Sequence, residues 1–424
     1  MKNKLFWFFL VFTFCTKNVE ARIYIPIDQP SDKKLPIAIT ELVGLDGGAG
    51  KLEKEIPDVN QNDLEISAYF QFIPPAAFLE PSSSTALTAE TINFDQWTAI
   101  EAQAVIKGGI TKKGDQITVQ LKLFDPFLKQ MLVGKQYSGS SKDVRSIAHR
   151  FSDEVMLALT GIKGPFNSKI TYTSPAGKAR KVIRIMDYDG ANDGGISDGK
   201  TLSLGSKFSP DGSRVVYTSY ASGTPEIYMS GKQLTRNKAT NLTPSFSPDG
   251  GTIVFSSSID GDPDIWTMTT SGKMISKLTN APGVDISPVY SPDGGMILFS
   301  SEMAGNLHVY TMGAGGGGAG RLTYVGQFND TPAWSPDGQK ITFCARDSGA
   351  FDVFTMNSDG SLIQRLTAGE GNNEHPSWSP DSRYITFSST RGGEAIYVMR
   401  FDGANPVRVS KGTGQLPWWG PSLK

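Results

Sequence analysis

The chain has almost no net charge and very few cysteines or histidines. Its 424 residues include 41 basic and 42 acidic side chains, so no overall field favours nucleic acid or an anionic membrane. Its cysteines are Cys15 and Cys344; if Cys15 is removed with a signal peptide, Cys344 has no internal disulfide partner and is expected to be a small buried side chain. Three histidines, His149, His308 and His375, argue against a histidine-built metal centre. The sequence therefore predicts no metal and no cofactor.

The N-terminus carries an apolar run that is too short to span a bilayer. The run extends from Leu5 to Cys15, about half of the ~20 residues that a membrane-spanning helix needs. Lys2 and Lys4 precede it, and a Val-x-Ala sequence ending at Ala21 follows it. This order is typical of a secretory signal peptide over residues 1–21, cleaved after Ala21. A membrane anchor is the alternative, but we expect an exported protein that does not span the membrane.

A turn sequence recurs at regular intervals in the second part of the chain. An aromatic residue followed by Ser-Pro-Asp-Gly, or by Ser-Pro-Asp-Ser in the last copy, begins at Phe208, Phe246, Tyr290, Trp334 and Trp378. In this turn Pro fixes φ, Asp bonds to nearby amides and Gly accepts a left-handed backbone. The aromatic residues are separated by 38, 44, 44 and 44 positions, a period typical of four-stranded propeller blades.

A sixth repeat is divided between the two ends of this region. The segments "ITYTS" from Ile170 and "IRIM" from Ile183 match the second and third strands of a blade, but no aromatic turn precedes them. The C-terminal "PWWGPS" supplies a first strand that ends at Trp419. Residues 163–424 are therefore predicted to form an all-β six-bladed propeller closed by its C-terminal strand, which removes exposed sheet edges.

Residues 22–162 lack the repeat and are predicted to form an α/β domain with an arm at residues 22–34. Strands are expected at Pro36–Ile39 and Phe70–Ile73, with a hairpin around residues 111–115. A helix capped by a preceding Ser and by Gly161 is expected to bury one face. That face comprises Val144, Ile147, Ala148, Phe151 and Val155. His149, on the same helix, is expected at the surface or at its boundary.

No catalytic motif is convincing. "GISDG" at residues 195–199 matches a hydrolase pattern, but that motif requires a strand-to-helix turn, whereas Ser197 lies in a loop among β repeats. The sequence therefore predicts a binding protein and no enzyme. A carbohydrate-binding, peptide-binding or hydrolytic propeller is the alternative.

Binding is expected at the mouth of the propeller, the end of the channel where loops lead into the inner strands, because loops on a rigid scaffold often carry function. The predicted polar ring consists of Asn241, Asp285, Asn329, Asp330, Asn373, Glu374 and His375. Solvated loop residues without a partner are the alternative. A second binding segment is predicted in the N-terminal arm, at Arg22, Ile23, Tyr24, Ile25, Ile27 and Asp28. An ordinary first strand or a frayed terminus is the alternative for that segment.

The order of these parts resembles the TolB family of the Tol–Pal envelope system. The resemblance covers the signal peptide, the α/β domain, the "LTGIKGPF" junction, the turn repeats and "PWWGPS". It implies a monomeric, non-enzymatic periplasmic adaptor that maintains outer-membrane integrity and aids envelope constriction at cell division. It also implies that the propeller mouth binds the peptidoglycan-associated lipoprotein Pal, and that the arm from Arg22 to Asp28 binds TolA. The chain departs from the family in having no His in "ATNLTP" and in carrying Ser287 where an acidic residue is usual.

Overall fold

The computed structural model describes residues 34–81, 84–324, 326–346 and 349–423. The predicted signal peptide and the arm residues Arg22, Ile23, Tyr24, Ile25, Ile27 and Asp28 lie outside the described residues. Within the described ranges, none of the helices combines the length and the apolar character that crossing a membrane requires.

The N-terminal domain is a mixed sheet covered by helices. Its strands are β1 (Leu35–Ile39), β2 (Val43–Gly44), β3 (Phe70–Phe72), β4 (Ala104–Lys113), β5 (Gln116–Asp125) and β6 (Gln130–Ser140). Its helices are α1 (Leu52–Ser67), α2 (Phe94–Thr98) and α3 (Val144–Thr160), with a 3₁₀ turn at Pro75–Ala77. The sheet order is β3-β1-β4-β5-β6, and β2 pairs with β4. The predicted strands near residues 36 and 70 and the predicted hairpin are confirmed.

Helix α1 contains a proline, which removes one hydrogen bond within the helix. Pro57 cannot donate to the Glu53 carbonyl oxygen, and the Leu42 N–H donates to that oxygen instead, at 2.8 Å. Asn60 then fixes α1 to α3, because its amide nitrogen donates to the Ala148 carbonyl and to the Ser152 hydroxyl, both at 2.8 Å. The Glu53 carbonyl and the Asn60 amide nitrogen are therefore both paired despite the proline.

The rest of the described chain folds into six four-stranded antiparallel sheets. The first blade contains β7 (Lys169–Pro175), β8 (Lys181–Asp187) and β9 (Gly194–Gly195). The second contains β10 (Ser203–Phe208), β11 (Val215–Ser219), β12 (Glu226–Met229) and β13 (Lys232–Gln233). The third contains β14 (Asn241–Phe246), β15 (Thr252–Ser257), β16 (Asp264–Thr269) and β17 (Met274–Lys277).

The fourth blade contains β18 (Asp285–Tyr290), β19 (Met296–Ser301), β20 (His308–Gly313) and β21 (Gly320–Arg321). The fifth contains β22 (Phe328–Trp334), β23 (Lys340–Arg346), β24 (Asp352–Asn357) and β25 (Gln364–Arg365). The sixth contains β26 (Asn373–Trp378), β27 (Tyr384–Ser389), β28 (Ala395–Arg400) and β29 (Val407–Arg408). The last strand, β30 (Gln415–Trp419), pairs with β7 in the first blade, with Trp419 opposite Ile170. The prediction of a six-bladed propeller closed by its C-terminal strand is confirmed.

The repeated turns follow the inner strands and are held by one side-chain motif. In the third blade the Ser247 hydroxyl donates to Asp249 at 2.5 Å, and Asp249 accepts the Gly251 N–H at 2.9 Å. The glycine after the aspartate is left-handed, as expected, with φ of 69° at Gly250. The copy without glycine places Ser382 in the same conformation, with φ of 62°.

The N-terminal domain packs against the first and sixth blades, on the side of the ring that carries these turns. The Tyr188 hydroxyl donates to Asp63 of α1 at 2.7 Å, and Asp63 also contacts His149 Nδ1 at 2.9 Å. Tyr188 stacks on Trp419, with 6.2 Å between the ring centroids. His149 is only 2 % exposed, so the surface or boundary position predicted for it is wrong. Its buried partner Asp63 holds it inside the domain interface.

The rest of α3 follows the prediction more closely. The five apolar residues predicted on one face are all buried, and Gly161 caps the C-terminus with φ of 77°. The N-cap, however, is Asp143 without a side-chain cap hydrogen bond, so the predicted Ser cap is wrong.

Candidate functional site: the propeller mouth

Each of the six inner strands contains a bulge at the same place, close to the mouth. The pairing register with the neighbouring strand shifts there in every blade. One residue of each bulge is left-handed, with φ between 49° and 60°. These six residues are Gly205, Thr243, Ser287, Thr331, His375 and Leu416. Non-glycine residues rarely adopt this conformation, and when they do they concentrate at functional sites. Five of these six bulges therefore hold a left-handed residue that carries a side chain.

The residue before each left-handed position forms a second layer, here called the mouth ring. Its six members are half-buried and lie at the start of the inner strands. They are Leu204, Leu242, Ile286, Asp330, Glu374 and Gln415. Three consecutive blades contribute aliphatic side chains and the next three contribute polar ones. The ring is therefore divided into an apolar half and an acidic-polar half.

The polar half is surrounded by charged groups. Burial raises the pKa of Glu374, and the nearby Glu394 and Asp330 carboxylates raise it further. Gln415 joins this group to the first blade, because its amide nitrogen donates to Glu394 and its amide oxygen accepts from Lys181. This half can therefore attract a cation, while the apolar half can bury an aliphatic or aromatic side chain.

His375 lies beneath the mouth ring in a left-handed conformation. Burial lowers the pKa of its imidazole to about 4, although the Asp330 carboxylate favours the charged form. Its Nδ1 lies 3.3 Å from the Ser388 hydroxyl. His375 is therefore neutral at physiological pH and contributes a polar, uncharged surface.

Four residues of the predicted polar ring have buried side chains and face the interior of their blades. Asn241, Asp285, Asn329 and Asn373 are between 0 % and 1 % exposed. In the sixth blade the Asn373 amide nitrogen donates to Asp352 at 3.2 Å, and its oxygen accepts from Ser389 at 2.8 Å. For these four residues the expectation of exposed side chains at the mouth is therefore corrected. These four residues lie at the start of their inner strands, while Asp330, Glu374 and His375 remain candidates for partner contact.

Hydrogen bonds around these buried side chains also explain why the repeats close with an "LT" or a "VS" pair. The Thr367 hydroxyl accepts the buried Val353 N–H at 3.0 Å and donates to Asp352 at 2.8 Å. Thr279 and Ser410 accept the corresponding amide in their own blades, both at 2.9 Å. A hydroxyl is needed at this position because an unpaired amide in a blade interior is costly.

The positions of two other residues considered in the sequence analysis, Ser197 and Cys344, are explained by their surroundings. Ser197 of the hydrolase-like motif follows β9, and its hydroxyl accepts the Ile183 N–H at 2.9 Å. The motif thus lies at the outer edge of the first blade, between two strands of the β repeat. Cys344 is buried, as predicted, and burial raises the pKa of its thiol to about 12.

In the described part of the chain, one group of side chains could approach a metal ion together. Ligand atoms of Asp63, His149 and Asp189 lie within 4.8 Å of one another. Asp63 already accepts from Tyr188 and contacts His149, and Asp189 is paired with Arg145. The group is therefore explained as a hydrogen-bonded contact between the two domains.

The sequence analysis missed the left-handed layer and the two large side chains at the floor of the mouth, Lys207 and Trp418. These two precede the aromatic residue of their repeats, where the other blades carry Ser245, Val289, Ala333 and Ser377. Comparing that one position across the repeats would have singled them out.

Comparisons with known proteins cover both parts of the chain. A family model described as the TolB beta propeller domain matches residues 156–423, and one described as the TolB amino-terminal domain matches residues 23–132. The Tol-Pal system protein TolB of Syntrophotalea carbinolica is 38 % identical over 208 residues, covering 49 % of this chain and 48 % of that protein. The same protein of Desulfosudis oleivorans is 37 % identical over 219 residues, covering 51 % and 49 %. The chain thus spans about half the length of the curated relatives that it matches.

A solved structure is similar over a longer stretch. The crystal structure of TolB from Acinetobacter baumannii superposes with a TM-score of 0.79 at 26 % identity. The superposition covers 92 % of this chain and 97 % of that one.

Proposed function

Because the chain belongs to the TolB family of Tol-Pal system propeller proteins, we propose that it is a non-enzymatic adaptor of the bacterial envelope. Its mouth binds the periplasmic domain of the peptidoglycan-associated lipoprotein Pal, and its N-terminal arm binds TolA. It acts in the periplasm after removal of residues 1–21. Through these contacts it maintains outer-membrane integrity and supports constriction of the envelope at cell division.

The observation that carries this proposal is the divided mouth ring. Apolar Leu204, Leu242 and Ile286 lie beside polar Asp330, Glu374 and Gln415 on strands whose bulges repeat in all six blades. An array of this kind presents a preorganised surface, which reduces the entropy lost when a partner binds. Since the described part of the N-terminal domain packs on the turn side of the ring, residues 34–162 leave the mouth uncovered.

Binding at the mouth is tested by titrating the mature protein with the Pal periplasmic domain of the same organism in a calorimeter. The double variant Asp330→Asn, Glu374→Gln removes two charges with little change of shape. We expect one-to-one binding by the unmodified protein, and at least about tenfold weaker binding by the variant, since 1.4 kcal/mol corresponds to a factor of ten. Glu65→Gln is a matched control, because Glu65 is exposed on α1 of the N-terminal domain.

Two results would contradict the proposal in different ways. If the folded, unmodified protein does not bind the Pal domain, the adaptor function is wrong. If the double variant binds as tightly as the Glu65→Gln control, the function stands but the mouth is the wrong face. TolA binding is tested in the same way, by comparing the mature protein with one that starts at Lys34. Equal affinity of these two forms for TolA would exclude the arm as the binding segment.

A further inference from the structure

The floor of the mouth is formed by two side chains that break the pattern of the repeat. The position before the turn aromatic carries Ser245, Val289, Ala333 and Ser377 in four blades, but Lys207 in the second blade and Trp418 in the first. Trp418 packs against hydrophobic clusters that contain residues of the fourth, fifth and sixth blades. Its indole therefore reaches across the central channel from the first blade.

Lys207 and Trp418 together divide the channel into two cavities. The Lys207 ammonium lies 4.4 Å from the centroid of the Trp418 ring, close enough for a cation–π interaction. Both side chains line a cavity of about 70 Å³ on the mouth side and a cavity of about 380 Å³ on the turn side. The cavity on the mouth side therefore has a floor formed by the Trp418 indole and the Lys207 amino group.

The ammonium group at this floor lacks a close counter-ion. In the described part of the chain no carboxylate forms an ion pair with Lys207, and Asp330 acts on it only from a longer distance. Burial lowers the pKa of Lys207 to about 7, which reflects the cost of holding this charge away from water. His375, in the wall of the same cavity, is neutral. A negatively charged oxygen placed in the cavity would compensate the ammonium directly.

The walls restrict which anion can enter. The cavity is small, and its lining includes Thr243 and Ser287 together with the apolar Leu416 and the Trp418 ring. Asp330 and Glu374 stand above it in the mouth ring, so a multiply charged anion such as phosphate meets repulsion. A single planar carboxylate on an aliphatic stem satisfies the size, the one positive charge and the apolar wall together.

We propose that this cavity is a binding subsite for one carboxylate group, with the Lys207 ammonium as its counter-ion and the Trp418 indole as its floor. The subsite itself does not depend on the identity of the partner. That the carboxylate is an acidic side chain or a C-terminus of the protein bound at the mouth rests on the proposed function. A free small carboxylate is the other source of the same chemistry.

The subsite is tested without any partner by titrating sodium acetate into protein labelled with ¹³C at the lysine ε carbon. The Lys207 resonance is identified by its absence in Lys207→Gln and in a second variant, Lys207→Met. We expect acetate to shift this resonance saturably in the millimolar range and to raise the pKa of Lys207. Lys232→Gln, at an exposed site on β13 of the same blade, should leave the titration unchanged. Inorganic phosphate, used at the same ionic strength, should bind more weakly than acetate.

Several results would overturn the subsite. They are the absence of any saturable shift of the Lys207 resonance, an equal response of exposed lysines, or phosphate binding as tight as that of acetate. The source of the carboxylate is decided by repeating the Pal-domain titration with saturating acetate. If acetate and Lys207→Gln each weaken Pal binding several-fold, the carboxylate belongs to the partner. If neither does while acetate still binds, the subsite serves a free carboxylate. A complete failure of Pal binding would leave the acetate result standing and would refute only the proposed function.

Discussion

Asp153 of α3 is a buried acid at the contact between the two domains. Replacing it with asparagine should remove a pH-dependent part of the free energy of unfolding. The carboxylate is 1 % exposed and accepts the Phe166 N–H at 2.8 Å and the Asn167 N–H at 3.4 Å. Burial raises the pKa of this carboxyl group to about 8, and the Asp63 charge adds to the rise, while the two amides and Lys163 oppose it. The asparagine side chain of the Asp153→Asn variant could still accept the Phe166 amide through its carbonyl oxygen and would not titrate.

The size of the effect follows from linkage between proton binding and folding. An unfolded aspartate has a pKa of about 3.9, so between pH 4 and pH 8 the folded protein binds a proton that the unfolded chain has lost. The free energy of unfolding then falls with rising pH by about 1.4 kcal/mol per pH unit. The contribution of Asp153 is fully present below about pH 4 and is lost as the pH rises through about 8. Between pH 4 and pH 7 the loss amounts to about 4 kcal/mol.

Urea unfolding of the unmodified protein and of Asp153→Asn, followed by circular dichroism from pH 4 to pH 8, measures this difference. We expect the variant to gain stability relative to the unmodified protein as the pH rises. Asp293→Asn is a control, because the Ser291 hydroxyl and the Gly295 N–H lower the pKa of that exposed turn carboxyl group. The contribution of Asp293 is lost only as the pH falls below about 4, so the stability difference of this variant should not change between pH 4 and pH 8. A stability difference for Asp153→Asn that does not change with pH would refute the reasoning.

Three further predictions concern the packing of the propeller and are measured by urea unfolding or hydrogen exchange. Thr279→Val should lower the free energy of unfolding by about 1–3 kcal/mol, because a buried amide loses its acceptor. Thr311→Val should leave the free energy of unfolding unchanged or raise it, since the Thr311 hydroxyl has no partner among the described residues. An equal loss in the two variants would contradict this reasoning. Trp419→Ala should lower the free energy of unfolding by about 3–5 kcal/mol. This loss should exceed that of Trp334→Ala, because the Trp334 side chain is only half-buried. The reverse order would argue against ring closure as a main source of stability. Tyr188→Phe should speed hydrogen exchange in α1 and α3 by removing the bond to Asp63, and unchanged exchange there would refute that role.

The propeller could be predicted from the sequence because each copy of the turn contains the residues that stabilise it. Every turn copy carries the serine and aspartate that bond to its backbone, as Ser247 and Asp249 do. Closure could be predicted because the first repeat lacks an inner strand and the tail supplies one. Helix α1 was not predicted, because Pro57 interrupts its pattern and the compensating donor, Leu42, lies outside the helix.

The candidate site was harder to predict because its chemistry depends on contacts between distant parts of the chain. His149 is buried because Asp63, 86 residues away, pairs with it. The sequence around Asn373 indicates a polar loop residue, yet its side chain is buried and its amide nitrogen donates to Asp352 on another strand. Lys207 and Trp418 meet only because the ring closes. Periodicity therefore predicts which residues lie near the mouth, but it does not separate the side chains that face the channel from those that hold the blades.

The most direct test of the account is to map the Pal-binding face by hydrogen exchange of the mature protein, with and without the Pal periplasmic domain. We predict that binding slows exchange of the amides at the mouth ends of the inner strands, such as residues 241–244, 329–332 and 373–376. Exchange at the Ser-Pro-Asp turns and in α1 should change less. Protection confined to the turns or to the N-terminal domain would contradict the claim that the mouth is the partner-binding surface.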